Sequence, residues 1–299
     1  KIPRTQIRTY IEEFYEYSHP LFTYALIGLV VGIFDRWILQ YFSGSIEQGF
    51  YGLAYQIGAV CFLFTSAMTP LITREFAIAY ANRDIQQMAH LFRRYIPMLY
   101  GIAAFFSCFI AVHAEKVALI LGGSKFHDAS IAITIMAFYP IHQTYGQLSG
   151  SVFYATGQTR LYRNIGISIM ILGLPITYLL IAPHQNMGLN LGSTGLAVKM
   201  VALQFLGVNV QLYFNAKLLN LAFRKYLGHQ LLCVCALFLL AFLINKAVSY
   251  IGVSSNILVN FLVNGIIYSC VVGIFTYFMP DLLGLRKDDI KNIMGKLRK

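Results

Sequence analysis

The residues best placed to do chemistry are charged and amide-bearing side chains inside apolar stretches. Asp35 and Arg36 interrupt LVVGIFDRWILQYF (29–42), and Lys199 lies within a later apolar stretch, 191–216. A charge in hydrocarbon costs at least about 2.5 kcal/mol. Pairing Asp35 with Lys199 or with Arg36 is the cheapest way to hold such charges, unless they sit high enough to snorkel to the surface. The stretch 129–154 carries Tyr139, His142, Gln143, Gln147, Ser149 and Ser151; Gln204, Asn209 and Gln211 follow Lys199, and Gln56 precedes them all. His142, Tyr145 and Ser149 share one helical face, and Gln143, Gln147 and Ser151 widen it, which predicts a wet cavity at mid-depth. The chemistry of this set is binding. Amides match sugar hydroxyls, and a cation matches phosphate. One buried carboxylate cannot neutralise two cations, so Arg36 or Lys199 is left to meet an anion. His142 fits a hydrogen-bonded structural role ahead of a proton relay.

The elements that hold these residues follow from composition. With 58% hydrophobic and 12% charged residues and a mean hydropathy of +0.63, the chain reads as an all-α polytopic membrane protein. A spanning helix needs about 20 apolar residues, and eight such stretches occur: 20–42, 49–73, 95–113, 129–154, 161–182, 191–216, 228–250 and 256–279. Barrel strands would be half as long and alternate in polarity. Pro70, Pro140 and Pro175 fall inside these stretches as expected kinks. Counting about 1.5 Å per residue places Asp35 about 22 Å beyond Pro20 and Lys199 about 12 Å below the outer end of its helix, at similar depths.

Basic residues set the orientation. Eighteen of them fall before the first stretch, in alternate connections (Arg74, Arg83, Arg93 and Arg94; Arg160 and Arg163; Lys217, Arg224 and Lys225) or after the last stretch, against three (Lys116, Lys125 and Lys246) on the other side. Both ends are therefore expected in the cytoplasm. The net charge of +11 is explained by orientation and anionic headgroups and needs no nucleic-acid partner. The expected organisation is a cytoplasmic amphipathic lead-in (1–19), a six-helix unit (20–217), two additional transmembrane helices (218–280) and a basic cytoplasmic tail (281–299). A chain opening on Lys in a polar lead-in is expected to be part of a longer one.

Several classes lack their signatures. HExxH or paired-His spacing and a phosphate-binding loop are missing from the sequence, and Asp35 is the only carboxylate in any apolar stretch, where a proton-driven pump usually has more. Cys61, Cys108, Cys233, Cys235 and Cys270 are odd in number and apolar in context, so buried free thiols are expected. The expectation is a protein that is not an enzyme and uses no cofactor or metal.

Two long segments resemble a known family. HPLFTYALIGLVVGIFDRWILQYFSGSIEQGFYGLAYQIGAVCFLFTSAMTPLITREFA combines a charged helix, a polar turn, a G-F-Y-G-L-A-Y helix opening and a close on Pro and Arg. ATGQTRLYRNIGISIMILGLPITYLLIAPHQNMGLNLGSTGLAVKMVALQF combines a G-Q-T-R turn with a G-S-T-G-L-A-V helix opening that leads directly to Lys199. Both resemble the polysaccharide-flippase branch of the multidrug/oligosaccharidyl-lipid/polysaccharide exporter superfamily. The resemblance covers most of 15–217; the last two stretches match only in number and hydrophobicity. It implies roughly fourteen helices in two lobes, with this chain as the second lobe plus two C-terminal helices and an N-terminal lobe of the same chain as partner. It also implies transfer of an undecaprenyl-diphosphate-linked oligosaccharide across a bacterial inner membrane, with Asp35 and Arg36 at the charged position of the lobe's first helix. Drug and metabolite exporters share the scaffold. A membrane glycosyltransferase, polymerase or ligase acting on the same lipid would need larger outer loops than EKVALILGG and its neighbours (114–128) provide.

Overall fold

The architecture comes from a computed structural model that describes residues 4–252 and 255–285. Among these, nine α-helices and three short 3-10 turns form and no strand does. Six helices are long and apolar enough to cross a membrane: α1 (Arg4–Ala81), α2 (Ile85–Val112), α6 (Thr159–Ile181), α7 (Gly192–Leu218), α8 (Phe223–Ile251) and α9 (Ile257–Phe278). Seven of the eight expected stretches match them to within one residue at either end or lie inside them, α1 containing the first two.

Helix α1 is two arms joined at Gly44, whose φ of 81° and ψ of −177° are not helical. That backbone region is costly for any residue with a Cβ, and the SGS sequence there supplies a residue without one. The Tyr17 hydroxyl donates to the Tyr154 carbonyl at 3.3 Å, while Thr73 bonds Ser151 at 2.7 Å. Both ends of α1 therefore lie beside the C-terminal end of α5 (Tyr139–Ala155), and the chain reverses at Gly44. No break separates the expected lead-in from the first span. Residues 4–19 continue helically into 20–43 and pass through Pro20, so the boundary at 19 is absent from the fold.

The fourth expected stretch is not one helix. It is divided into α4 (Ser130–Met136) and α5, with Ala137 and Phe138 between them. Pro140 has no backbone N–H to continue the ladder, and its ring would crowd the Met136 carbonyl, so it opens α5 instead of kinking a longer helix.

One end of the bundle collects the connections that carry Arg83, Arg160, Arg163 and Lys225. Glu16 meets Arg160 at 3.4 Å there. At the other end the carboxylate of Glu47 accepts from the Ser193 amide at 2.7 Å, meeting the start of α7. Lys116, on α3 (Ala114–Gly122), donates to Asn245 at 3.0 Å and Asn260 at 2.6 Å, tying α3 to α8 and α9. Two apolar clusters form the interior. One joins the second arm of α1 with α2, α5, α7, α8 and α9 around Phe76, Tyr100, Tyr145 and Tyr268; the other joins α1, α3, α4, the end of α6 and the start of α7 around Leu39, Ile133 and Leu196. Large apolar side chains such as Ile33, Trp37, Leu63, Leu239 and Ile266 face outward, a surface suited to contact with lipid. Cys61, Cys108 and Cys233 are buried free thiols, whereas Cys235 and Cys270 are exposed, because α8 and α9 each turn an apolar face outward. The tail residues Arg286, Lys287, Lys291, Lys296, Arg298 and Lys299, together with Lys1, lie outside the described residues; 281–285 form a 3-10 turn (Pro280–Leu283) and its exit, packed on α2.

Candidate binding cavity

Asp35 is brought to the bundle interior by the first arm of α1 and is 5% exposed; Lys199, on α7, is 4% exposed. The Lys199 ammonium donates to Asp35 Oδ2 at 2.5 Å, and the Thr177 hydroxyl of α6 lies 2.7 Å from Oδ1. Both carboxylate oxygens thus have a donor. The stem of Lys199 passes α6 at Gly173, where a methyl group would stand 2.9 Å from its Cε. Thr177 carries no mark in the sequence that sets it apart from other threonines in apolar helices.

This pair borders a cavity of about 280 Å³ between the first arm of α1, α5, α6 and α7. Its polar wall includes Gln143, Gln147, Gln204 and Gln211, with Tyr24, Tyr139 and Tyr162 beside them. The Gln204 amide donates to Gln143 Oε1 at 2.6 Å, joining α7 to α5. Five of the eight residues singled out from sequence therefore meet here: Asp35, Gln143, Gln147, Lys199 and Gln204.

The other three lie elsewhere. Arg36 is exposed, its guanidinium 5.6 Å from the centre of the Tyr55 ring, and Tyr55 in turn is 6.4 Å from the cavity-lining Tyr139. Gln56 follows Tyr55 and is also exposed. His142 packs on Phe205 at 5.0 Å and faces Tyr100 at 6.5 Å, and its Nδ1 is buried without a hydrogen bond. The wide polar face of α5 is in fact two faces. Adjacent positions project about 100° apart, so His142 and Tyr145 turn toward α2 and α7 while Gln143 and Gln147 turn toward the cavity.

A third surface of α5 is a polar seam. Thr65 bonds Thr144 at 3.0 Å, Thr69 donates to Gln147 Oε1 at 3.1 Å, and Thr73 bonds Ser151 at 2.7 Å. The second arm of α1 supplies threonines at i, i+4 and i+8, one face of a helix; that spacing was readable in the sequence. Ser151 therefore serves helix packing and does not line the cavity.

Chemically, the site offers amide and phenol groups of both hydrogen-bonding senses around a neutralised ion pair, with one further cation, Arg36, beyond Tyr55. Among the described residues no group of three His, Cys, Asp or Glu side chains is placed to hold a metal ion. No family model matches the chain, and neither does any curated protein or any solved structure.

Proposed function

We propose that the chain is a wall-forming part of a membrane transporter that turns a polyprenyl-diphosphate-linked oligosaccharide from the inner to the outer leaflet of a bacterial plasma membrane. The observation that carries this reading is the glutamine-lined cavity enclosed by helices whose outer surfaces are apolar. Sugar hydroxyls are matched by Gln143, Gln147, Gln204 and Gln211, the lipid tail stays in the bilayer, and the diphosphate is met by Arg36, since Lys199 is engaged by Asp35. In this reading the facing wall comes from an N-terminal lobe of the same chain, both ends of the described part are cytoplasmic, and no catalysis takes place.

The cavity volume of about 280 Å³ favours a second reading, export of a small polar metabolite, because sites for drug-sized ligands start at about 300 Å³. One experiment separates the two. The full-length gene is placed in a bacterium lacking its repeat-unit flippase, and surface polysaccharide is measured for the wild type and for Gln143→Leu/Gln204→Leu. Restoration by the wild type and its loss in the variant support the first reading. No restoration, together with uptake of a labelled small solute into inverted vesicles, supports the second.

A further inference from the structure

A second cavity, of about 930 Å³, lies at the end of the bundle that carries the Lys- and Arg-rich connections. Its walls are α2, the turn from α7 to α8, the first turns of α8, and the 3-10 turn that follows α9. Arg93 and Lys225 stand on its rim, both exposed. His229 lies deeper, its ring nitrogens buried beside the backbone carbonyls of Asp281 and Leu282. Asp281 is the one carboxylate in the lining. The opposite rim is apolar: Leu232, Phe278 and Met279 line the cavity and face outward.

The wall contributed by the 3-10 turn is built in place. Gly284, at φ 66°, lies so close to α2 that a Cβ would stand 2.4 Å from the Pro97 carbonyl carbon, and Leu283 rests against Gly101. Only a residue without a side chain fits that approach and that backbone conformation.

We propose that this cavity binds the phosphate group of an anionic phospholipid, with the glycerol and upper acyl carbons lying against Leu232, Phe278 and Met279. Two cations against one carboxylate leave an excess positive charge at the level of the headgroups, where basic pockets between helices hold lipid phosphates. A neutral imidazole carries one N–H, and a phosphate oxygen inside the cavity would compete for the His229 donor with the backbone carbonyls of Asp281 and Leu282 beside it. The apolar rim favours a lipid over a free anion, because Leu232, Phe278 and Met279 beside the cations offer a surface that acyl carbons can cover and a soluble phosphate cannot. This site is separate from the glutamine-lined cavity, and the inference stands whatever that cavity carries.

The test uses the purified full-length protein in nanodiscs containing either phosphatidylcholine alone or phosphatidylcholine with phosphatidylglycerol, released into native mass spectrometry. Retained phosphatidylglycerol adducts are expected for the wild type, with apparent affinity reduced on the order of tenfold to thirtyfold in Arg93→Gln/Lys225→Gln. His229→Phe, which keeps the packing and removes the donor, is expected to weaken retention as well. Arg160→Gln/Arg163→Gln removes the same charge at another connection and is expected to leave retention unchanged. Equal retention in wild type and Arg93→Gln/Lys225→Gln overturns the site, as does an equal loss in the Arg160→Gln/Arg163→Gln control. If millimolar inorganic phosphate displaces the adducts completely, the site belongs to a soluble anion and the lipid assignment is overturned.

Discussion

Lys199 of α7 closes an ion pair with Asp35, 164 positions earlier in the chain, and both side chains are almost wholly enclosed. Removing one partner strands the other charge away from water, at a cost of about 3–5 kcal/mol. Asp35→Asn and Lys199→Gln are each expected to lower the melting temperature of the detergent-solubilised protein. The double variant Asp35→Asn/Lys199→Gln, which removes both charges, is expected to recover more than half of that loss. Additive losses would show that the two groups do not interact.

Arg36 stands apart from that pair, exposed against Tyr55. Arg36→Gln is therefore expected to leave membrane abundance and melting unchanged within about 0.5 kcal/mol. On the proposed function it reduces surface polysaccharide, and Arg36→Lys restores part of it. A normal polysaccharide level in Arg36→Gln would remove Arg36 from any role in meeting the diphosphate.

The two faces of α5 can be told apart by labelling. In a variant without native cysteines, Gln143→Cys and Gln147→Cys are expected to react with small water-soluble thiol reagents, and His142→Cys and Ser151→Cys to resist them. Equal reactivity at all four positions would mean that water reaches every side of the helix.

The seam between α1 and α5 gives a graded expectation. Interhelical hydrogen bonds within membranes contribute about 0.6 kcal/mol on average. Thr73→Val leaves Ser151 without its cross-helix partner and is expected to destabilise the protein by about 0.5–1.5 kcal/mol in reversible unfolding. Thr73→Ser, which keeps the hydroxyl, is expected to fall closer to wild type.

His127 lies outside the spans and bonds Glu115 Oε1 at 3.1 Å, with Asp128 at 3.5 Å. The hydrogen bonds to these two carboxylates raise its pKa above the usual 6.5. A raised value in the folded state makes the contribution fully present below about pH 6.5 and lost as pH rises through the folded value. Titration of the His127 ring by NMR is expected to give a midpoint above 6.5 that moves back toward it in Glu115→Gln. An unchanged midpoint would assign the shift to Asp128 alone.

How far the sequence revealed this structure differs from residue to residue. The ion pair was legible because charges in apolar stretches are few and their depths can be counted, so Asp35 and Lys199 had little else to meet. Thr177 was not, since a hydroxyl in an apolar helix commonly donates to its own backbone, and here the Gly173 carbonyl, 3.0 Å away, competes with Asp35 for its one proton. Periodicity placed Gln143 and His142 on nearby faces of α5 but could not say which neighbour each face would meet. Pro140 was visible as an interruption, but whether a proline kinks a helix or begins a new one depends on what packs beside it. In this fold the α4–α5 junction lies against Gly58 of α1, whose bare Cα leaves room for the Met136 carbonyl.

The reversal at Gly44 decides more than the shape of one helix. Without it, the 78 residues of α1 would form a rod of roughly 117 Å, nearly four times the thickness of a bilayer core of about 30 Å. A single turn also fixes parity, because every helix after it inherits the opposite travel direction from the one it would otherwise have had. The meeting of Glu16, before the turn, with Arg160, after it, thus depends on a single glycine. A straightened α1 would carry its N-terminal arm to the opposite pole from the connection it now meets.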